Sequence, residues 1–472
     1  MNKKALSIGI PAILFFLILA LPASAFHMPG LTVVEQRVIA IFVLAAFCWV
    51  LEPIPIFATS VLIIVAELVL LSDKGLVWFT GAKGSEGFGK LLSYQELMAT
   101  FASPIIMLFL GGFFLAMAAT KYRLDLNLAR VMLKPFGGKP HWVLLGIMGI
   151  TAIFSMFMSN TATTAMMLSI LAPVLASLPE GDRGRTAFAL SIPVAANIGG
   201  IGTPIGTPPN AVALKYITDL HPISFGEWML FGVPYVIVLL VVAWWLLCRF
   251  FPIAAPTIKL DIKGQFMKGW RAGVVYVTFA LTVVLWMLGG LHGMNSYVVA
   301  MIPVAVFSCT SIITSSDLKT ISWDVLWLLS GGIALGVALE RTGLASRMVN
   351  SIPFETFAPF MVLAAAMIIT LLMANFMSHT ATANLLLPIM AAMATGLSGL
   401  EGMGGAVGLI LAVTFAASLG MTLPISTPPN ALASATGMVA TPDMAKIGVI
   451  IGVLGLVLTV VMLWCLHAIG FI

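Results

Sequence analysis

Apolar positions in this chain fall in long blocks separated by short polar gaps, and the block lengths set the architecture. A bilayer is crossed by roughly 17 to 25 helical residues, and runs of that order fall at 5–26, 34–52, 54–72, 101–120, 226–250, 271–290, 296–315, 322–340 and 444–470. Two longer blocks, 186–219 and 404–438, carry a Pro-Pro pair inside them. Proline removes a backbone donor and clashes with the preceding turn, so each is expected to be a helix broken within the membrane. Residues 141–178 and 359–396 are too long for one crossing, and each is split near its middle by a Ser-x-Thr cluster. A re-entrant hairpin, entering and leaving on one side, accommodates both facts. The pattern predicts an all-α polytopic membrane protein with about eleven transmembrane helices and two re-entrant hairpins.

The polar gaps assign sides. Residues 121–139 and 341–353 are too polar to span and suit interfacial helices; 72–94 reads as an extramembrane loop and 251–268 as a basic linker. With a cytoplasmic N-terminus, 16 Lys and Arg fall inside and 7 outside, as the positive-inside bias requires. The expected location is a bacterial inner membrane. Lys3-Lys4, the apolar run from Ala5 and Ala23-Ser24-Ala25 also describe a cleavable signal peptide; a retained first helix is preferred, and either reading places Phe26 on the outer side.

Composition agrees. With 60% hydrophobic and 9% charged residues and a mean hydropathy of +1.10, there is too little polar surface to coat a soluble globule. The net charge of +5 comes from the inter-span gaps, so no nucleic-acid partner is implied and the bilayer is the expected surroundings. Cys48, Cys248, Cys309 and Cys465 stand singly and read as packing residues.

The chain repeats itself. Leu110-Gly111-Gly112 recurs as Ser330-Gly331-Gly332, Met158-Ser159-Asn160-Thr161-Ala162-Thr163 as Met377-Ser378-His379-Thr380-Ala381-Thr382, and Pro204-Ile205-Gly206-Thr207-Pro208-Pro209-Asn210 as Pro424-Ile425-Ser426-Thr427-Pro428-Pro429-Asn430, always 219 or 220 residues apart. Five crossings separate the hairpins, an odd number, so the repeats are expected to be inverted, with a shared site near mid-bilayer. The predicted organisation is N-terminal scaffold helices (1–100), a first repeat (101–250), a linker with further scaffold helices (251–320), and a second repeat with the last helix (321–472).

Each repeat thus supplies a hairpin tip with hydroxyls and an unwound loop with bare carbonyls and amides. Helix N-termini attract anions, whereas hydroxyls, the Asn carboxamide and carbonyls suit a hard cation such as sodium. No Arg or Lys lies in these segments. A twofold site of this kind has a natural guest in a molecule with two carboxylates. Asn197 and Asn384 lie near it as even choices between lining it and bonding to a neighbouring helix. The histidines outside the motifs, His27, His141, His221, His292 and His467, read as interface packing.

These paired motifs, with their spacing, resemble the divalent anion/sodium symporter family of dicarboxylate and citrate transporters, over nearly the whole chain from about residue 34. The resemblance implies a homodimer and an elevator mechanism in which a transport domain slides against a scaffold. It implies a sodium site at Ser155, Ser159, Asn160 and backbone around Gly206. Substrate would meet Ser159, Asn160, Thr161, Thr207, Ser378, His379, Thr380, Thr427 and Pro428. The second cation site departs from the pattern: His379 replaces the motif Asn, Ala374 stands where the first half has Ser155, and Ser426 replaces Gly206. Imidazole offers sodium no carbonyl oxygen, so this site is expected to be weakened, leaving sodium symport, proton coupling or sodium-independent exchange open. C4 dicarboxylates of the succinate class are the expected cargo, with citrate and sulfate as alternatives; sodium is the expected coupling ion, with a proton as the alternative, and no cofactor is implied.

Rival classes fare worse. An intramembrane hydrolase needs nucleophile, base and acid, but Ser378 and His379 are adjacent and no acid lies in the site segments, so no enzyme is expected. Broken inverted repeats argue for a carrier over a channel. Carriers of inorganic ions usually hold an intramembrane acid, and the spans are read as having none, which favours an organic anion.

Overall fold

A computed structural model of the chain describes residues 3–26, 28–80, 84–179, 181–218, 220–258, 265–350, 358–394 and 399–472. His27, residues 259–264 of the 251–268 linker, residues 351–353 of the second polar gap and the last two residues of the 359–396 block lie outside these. Among the described residues the structure is helical, with one isolated β-bridge, Ser72 to Leu92. The longer helices are α1 (Lys3–Ala20), α2 (Val33–Leu51), α3 (Ile56–Leu70), α4 (Pro104–Lys121), α5 (Leu124–Leu133), α6 (Pro140–Ser155), α7 (Asn160–Ser177), α8 (Gly184–Gly200), α9 (Pro208–Thr218) and α10 (Phe225–Phe250). They continue with α11 (Trp270–Met287), α12 (Ser296–Cys309), α13 (Trp323–Arg341), α14 (Leu344–Asn350), α15 (Pro359–Phe376), α16 (His379–Ala394), α17 (Gly405–Ser418), α18 (Pro428–Ala435) and α19 (Thr441–Ala468).

Local chemistry explains where these helices start and stop. Thr32 caps α2 in a capping box with Glu35, and Ser224 caps α10 with Glu227, each satisfying orphan amides that lipid could not. Both long blocks with a Pro-Pro pair are indeed two helices: α8 ends at Gly200 and α9 begins at Pro208, while α17 ends at Ser418 and α18 begins at Pro428. Proline is acceptable at a helix start, where its missing donor costs nothing. The two overlong blocks are helix pairs, α6 with α7 and α15 with α16, turning at 156–159 and 377–378. The polar gap after α4 holds the short amphipathic α5, and α14 follows α13.

Packing sorts the helices into two groups. One holds α6 to α10 with α15 to α19: α8 packs on α6, α7, α10 and α18, and α17 on α15, α16, α9 and α19. The other joins α1 to α2, α2 to α3, α3 to α13, α4 to α12 and α12 to α11. The duplicated Gly-Gly pair serves the second group twice. A Cβ on Gly111 would lie 2.3 Å from the Ala300 carbonyl of α12, and one on Gly331 would lie 2.4 Å from Ser60 Cβ of α3, so each glycine permits one close helix crossing.

Large apolar side chains face outward, among them Leu230, Val277, Met361, Val457 and Trp464, as lipid-facing surfaces require. Seven helices among the described residues are long and apolar enough to cross a membrane. The interior, however, is not free of acids. Glu67, inside the predicted 54–72 span, is fully buried on α3; it was overlooked because the surrounding run is otherwise wholly apolar or hydroxylated.

Candidate substrate and cation site

Four helices begin at one place. Ser159 caps α7, its Oγ accepting from Ala162 N at 3.2 Å; Ser378 Oγ accepts from Ala381 N at 3.1 Å at the start of α16; and Thr427 Oγ1 caps α18, accepting from Asn430 N at 3.2 Å. The fourth, α9, starts at Pro208 immediately after Thr207. A cap hydroxyl accepts from the backbone through a lone pair and keeps its own proton to donate. Together the four starts present partial positive charge and hydroxyl donors to one volume.

That volume is a cavity of about 390 Å³. Its wall contains Ser159, Asn160, Thr161, Gly206, Thr207, Pro208, Ser378, His379, Thr380, Thr427 and Pro428. Thus every residue expected to meet substrate lies on one surface, drawn from both repeats at positions some 219 residues apart in the chain. Ser155 does not line the cavity; it is fully buried behind Asn160. Phe57, Phe109, Phe113 and Phe157 supply an apolar wall that no motif announces, and the cavity reaches the first turns of α3 and α13 at Ile56 and Asp324. Asp324 is the one charged side chain among the described lining residues.

The break loops are held by the last residue of each Thr-Pro-Pro-Asn motif. Asn210 Nδ2 donates to the Gly200, Ile201 and Thr203 carbonyls at 3.2, 3.2 and 2.8 Å, and Asn430 Nδ2 to Met421 and Leu423 at 2.8 and 3.0 Å. A buried carboxamide thus occupies carbonyls that the end of α8 or α17 leaves open. Sequence reasoning had the motif without this role; repetition of the Asn was the available signal. Asn197 lines the cavity and also crosses between halves, donating to Thr427 Oγ1 at 3.3 Å and Asn430 Oδ1 at 3.2 Å. Asn384 instead donates to the Leu328 carbonyl at 3.0 Å.

The two halves diverge behind the cavity wall. In the first, Ser155 Oγ lies 2.5 Å from Asn160 Oδ1 and 2.7 Å from the Ala196 carbonyl. One hydroxyl proton cannot satisfy both acceptors. A Cβ on Gly206 would sit 2.4 Å from the Gly200 carbonyl, and one on Gly200 would sit 2.9 Å from Asn160 Oδ1, so these carbonyls and the carboxamide form one knot of oxygens. A small hard cation fits such a donor set, which contains no carboxylate. In the second half, His379 Nε2 donates to the Gly420 carbonyl at 2.7 Å, which fixes the proton on that nitrogen. Ser426 Oγ is engaged with the Asn375 carbonyl at 2.7 Å and Leu423 N at 3.0 Å. An imidazole N–H thus meets the carbonyl of Gly420 at 2.7 Å, whereas its counterpart Gly200 accepts a longer bond, 3.2 Å, from Asn210 Nδ2 and borders the first half's oxygen knot.

Paired broken helices converging on a shared polar cavity are the build of a secondary transporter. The comparisons agree with that class: a family model described as the sodium:sulfate symporter transmembrane region matches residues 2–469. The chain belongs to that family. It is 32% identical over 416 residues to the sodium-dependent high-affinity dicarboxylate transporter 3 of Caenorhabditis elegans, covering 75% of this chain and 72% of that protein. It is also 30% identical over 467 residues to the sodium-dependent dicarboxylate transporter SdcS of Staphylococcus saprophyticus, covering 91% of this chain and 85% of the relative. Among solved structures, the YdaH transporter of Alcanivorax borkumensis, reported with an unusual topology, matches with a TM-score of 0.57 at 14% identity, over 88% of this chain and 98% of that one. That last likeness concerns the fold alone.

Proposed function

We propose that this protein is a sodium-coupled carrier of dicarboxylates of the C4 class, and that His379 N–H stands in for a second coupling cation. The observation that carries the reading is the meeting of four helix starts around one cavity, two from each half of the chain, three of them capped by a hydroxyl. One carboxylate of the guest would be held by Ser159, Asn160 and Thr161, the other by Ser378 and Thr380, with Thr207, Thr427 and Pro428 closing the sides. A volume of about 390 Å³ lies in the range of organic-ligand pockets and is generous for a lone oxyanion such as sulfate. The names of the relatives, dicarboxylate transporters that depend on sodium, support the same choice.

Sodium would sit at Ser155, Ser159, Asn160 and the backbone at Gly206, balancing part of the dianion's charge. In the second half the imidazole N–H already meets Gly420, which favours coupling to fewer sodium ions than a site with two Asn motifs. Movement would be of elevator type, the group α6–α10 with α15–α19 shifting against the scaffold α1–α4 and α11–α13, in a homodimer with cytoplasmic N-termini in a bacterial inner membrane. With that topology the cavity mouth at Ile56 and Asp324 faces the cytoplasm.

The test is uptake of radiolabelled succinate into proteoliposomes, with sodium, a pH gradient or internal succinate varied separately. Sodium-driven uptake competed by malate and fumarate, and not by sulfate, supports the proposal. Uptake that needs internal dicarboxylate and ignores sodium would replace it with an exchanger.

A further inference from the structure

The cavity is polar on one side only. The helix starts that follow Ser159, Thr207, Ser378 and Thr427 all belong to the group α6–α10 with α15–α19. The facing wall comes from α3, α4 and α13 of the other group, and its large side chains include Phe57, Phe109, Phe113 and Leu328. Among the described lining residues from these three helices, Asp324 is the one with a polar side chain.

Asp324 brings a negative charge to the mouth of a cavity built for anions. It is exposed, and its carboxylate takes part in no ion pair or hydrogen bond among the described residues. It sits in the first turn of α13, where an acid complements the helix dipole. The four helix starts opposite are open to an anionic guest; at this one the chain supplies the anion itself. Such an acid would steady its helix anywhere on the protein, but on the wall of an anion cavity it also acts on the guest.

Volume does not limit that guest to four carbons. About 390 Å³ falls in the range that takes drug-sized ligands, so a larger polycarboxylate has room. Two of its carboxylates would occupy the hairpin tips, as proposed for a dicarboxylate. A third group on the skeleton then points away from the helix starts, toward a wall that offers aromatic and aliphatic side chains, no side-chain donor, and Asp324. A carboxylate that loses water without gaining a partner is costly to place, and repulsion between like charges is stronger beside an apolar wall than in water. A neutral group of the same size meets neither penalty in full.

We propose that Asp324 is a specificity-determining residue, which with the apolar wall around it confines the carrier to guests with two carboxylates by repelling a third. This role rests on the dicarboxylate reading of the cavity and sharpens it, because charge and not size then separates dicarboxylates from tricarboxylates.

The test is competition for radiolabelled succinate uptake by the full-length protein in proteoliposomes. Tricarballylate is succinate with a third carboxylate on a one-carbon branch, and its amide at that branch, carbamoylmethylsuccinate, has the same size without the charge. In the parent the amide should compete and tricarballylate should compete about tenfold more weakly. Asp324→Asn should lower the ratio of Ki for tricarballylate to KM for succinate about tenfold, and Asp324→Glu should leave that ratio near the parent's. The difference between parent and Asn variant should narrow in high potassium chloride, since exposed charges are screened; a residue that only steadied its helix would move neither the ratio nor its salt dependence. A parent that refuses both competitors is limited by size, and one that accepts both makes no distinction by charge. Either result overturns the inference, as does an Asn variant whose ratio matches the parent's. Should that variant not fold, Asp324→Ser removes the same charge and is read in the same way. A parent without succinate uptake would overturn the dicarboxylate reading and this role together, whereas succinate uptake with an unmoved ratio overturns the role of Asp324 alone.

Discussion

The two halves of the site share one pattern, yet only the first keeps the oxygen donors of the proposed cation site. Ser155, Asn160 and Gly206 in the first half become Ala374, His379 and Ser426 in the second. The first leaves two acceptors competing for a single Ser155 proton; the second answers the Gly420 carbonyl with an imidazole N–H and commits the Ser426 hydroxyl to the Asn375 carbonyl of α15. Shape is preserved on the cavity side, where Ser159 and Ser378 cap their helices alike, while the layer behind it changes its electrostatic role. Under the proposed function a carrier keeps a symmetric grip on a symmetric guest and still alters its coupling, because the guest would touch the caps and the ion what lies beneath.

The sharpest break in this comparison is Gly206→Ala. The new Cβ would meet the Gly200 carbonyl at 2.4 Å, with no flexible neighbour to yield, and over-packing of this kind costs about 1–3 kcal/mol or more. Sodium-driven uptake should fall to background while the folded protein survives in detergent at a lower melting temperature. Asn160→Ala comes next: it removes the carboxamide from the oxygen knot, and a loss of about 100-fold in sodium-driven uptake, or about 2.7 kcal/mol, is expected from initial rates across a sodium titration. His379→Asn combined with Ala374→Ser should sharpen the comparison from the other side by giving the second half the first half's donors. Sodium dependence should then steepen, with a Hill coefficient rising by up to about one; an unchanged sodium response would show that His379 does not stand for a lost cation. The smallest effect is expected of Asn197→Ala, which cuts two hydrogen bonds joining the halves. At about 1 kcal/mol each, their loss should lower the melting temperature by a few degrees and weaken substrate binding a few-fold, measured as the thermal shift on adding succinate.

Much of this was legible in the chain. Block lengths and Pro-Pro pairs gave the broken helices α8–α9 and α17–α18, because lipid leaves a backbone so few alternatives that hydropathy and proline nearly dictate secondary structure. The motif repeat at 219 or 220 residues named the hairpin turns and the cavity-lining residues, since duplicated polar clusters in an apolar chain need a common place to be satisfied. Glu67 escaped because one acid in a run of apolar residues carries no periodic mark, and the phenylalanines of the cavity wall because apolar residues here are ubiquitous.

What the sequence by itself determined is therefore the class of the protein, its breaks and its repeated polar points, all consequences of local composition in a solvent that tolerates no unpaired backbone. Only the tertiary structure decided which oxygen faces which donor: that Ser155 stands between two acceptors, that His379 turns to Gly420, and that Lys215 reaches the Ile333 carbonyl past Gly336. Those are distances of a few ångströms between residues tens or hundreds of positions apart, and hydrogen bonds and charge pairs depend on that separation in space, which no pattern along the chain encodes.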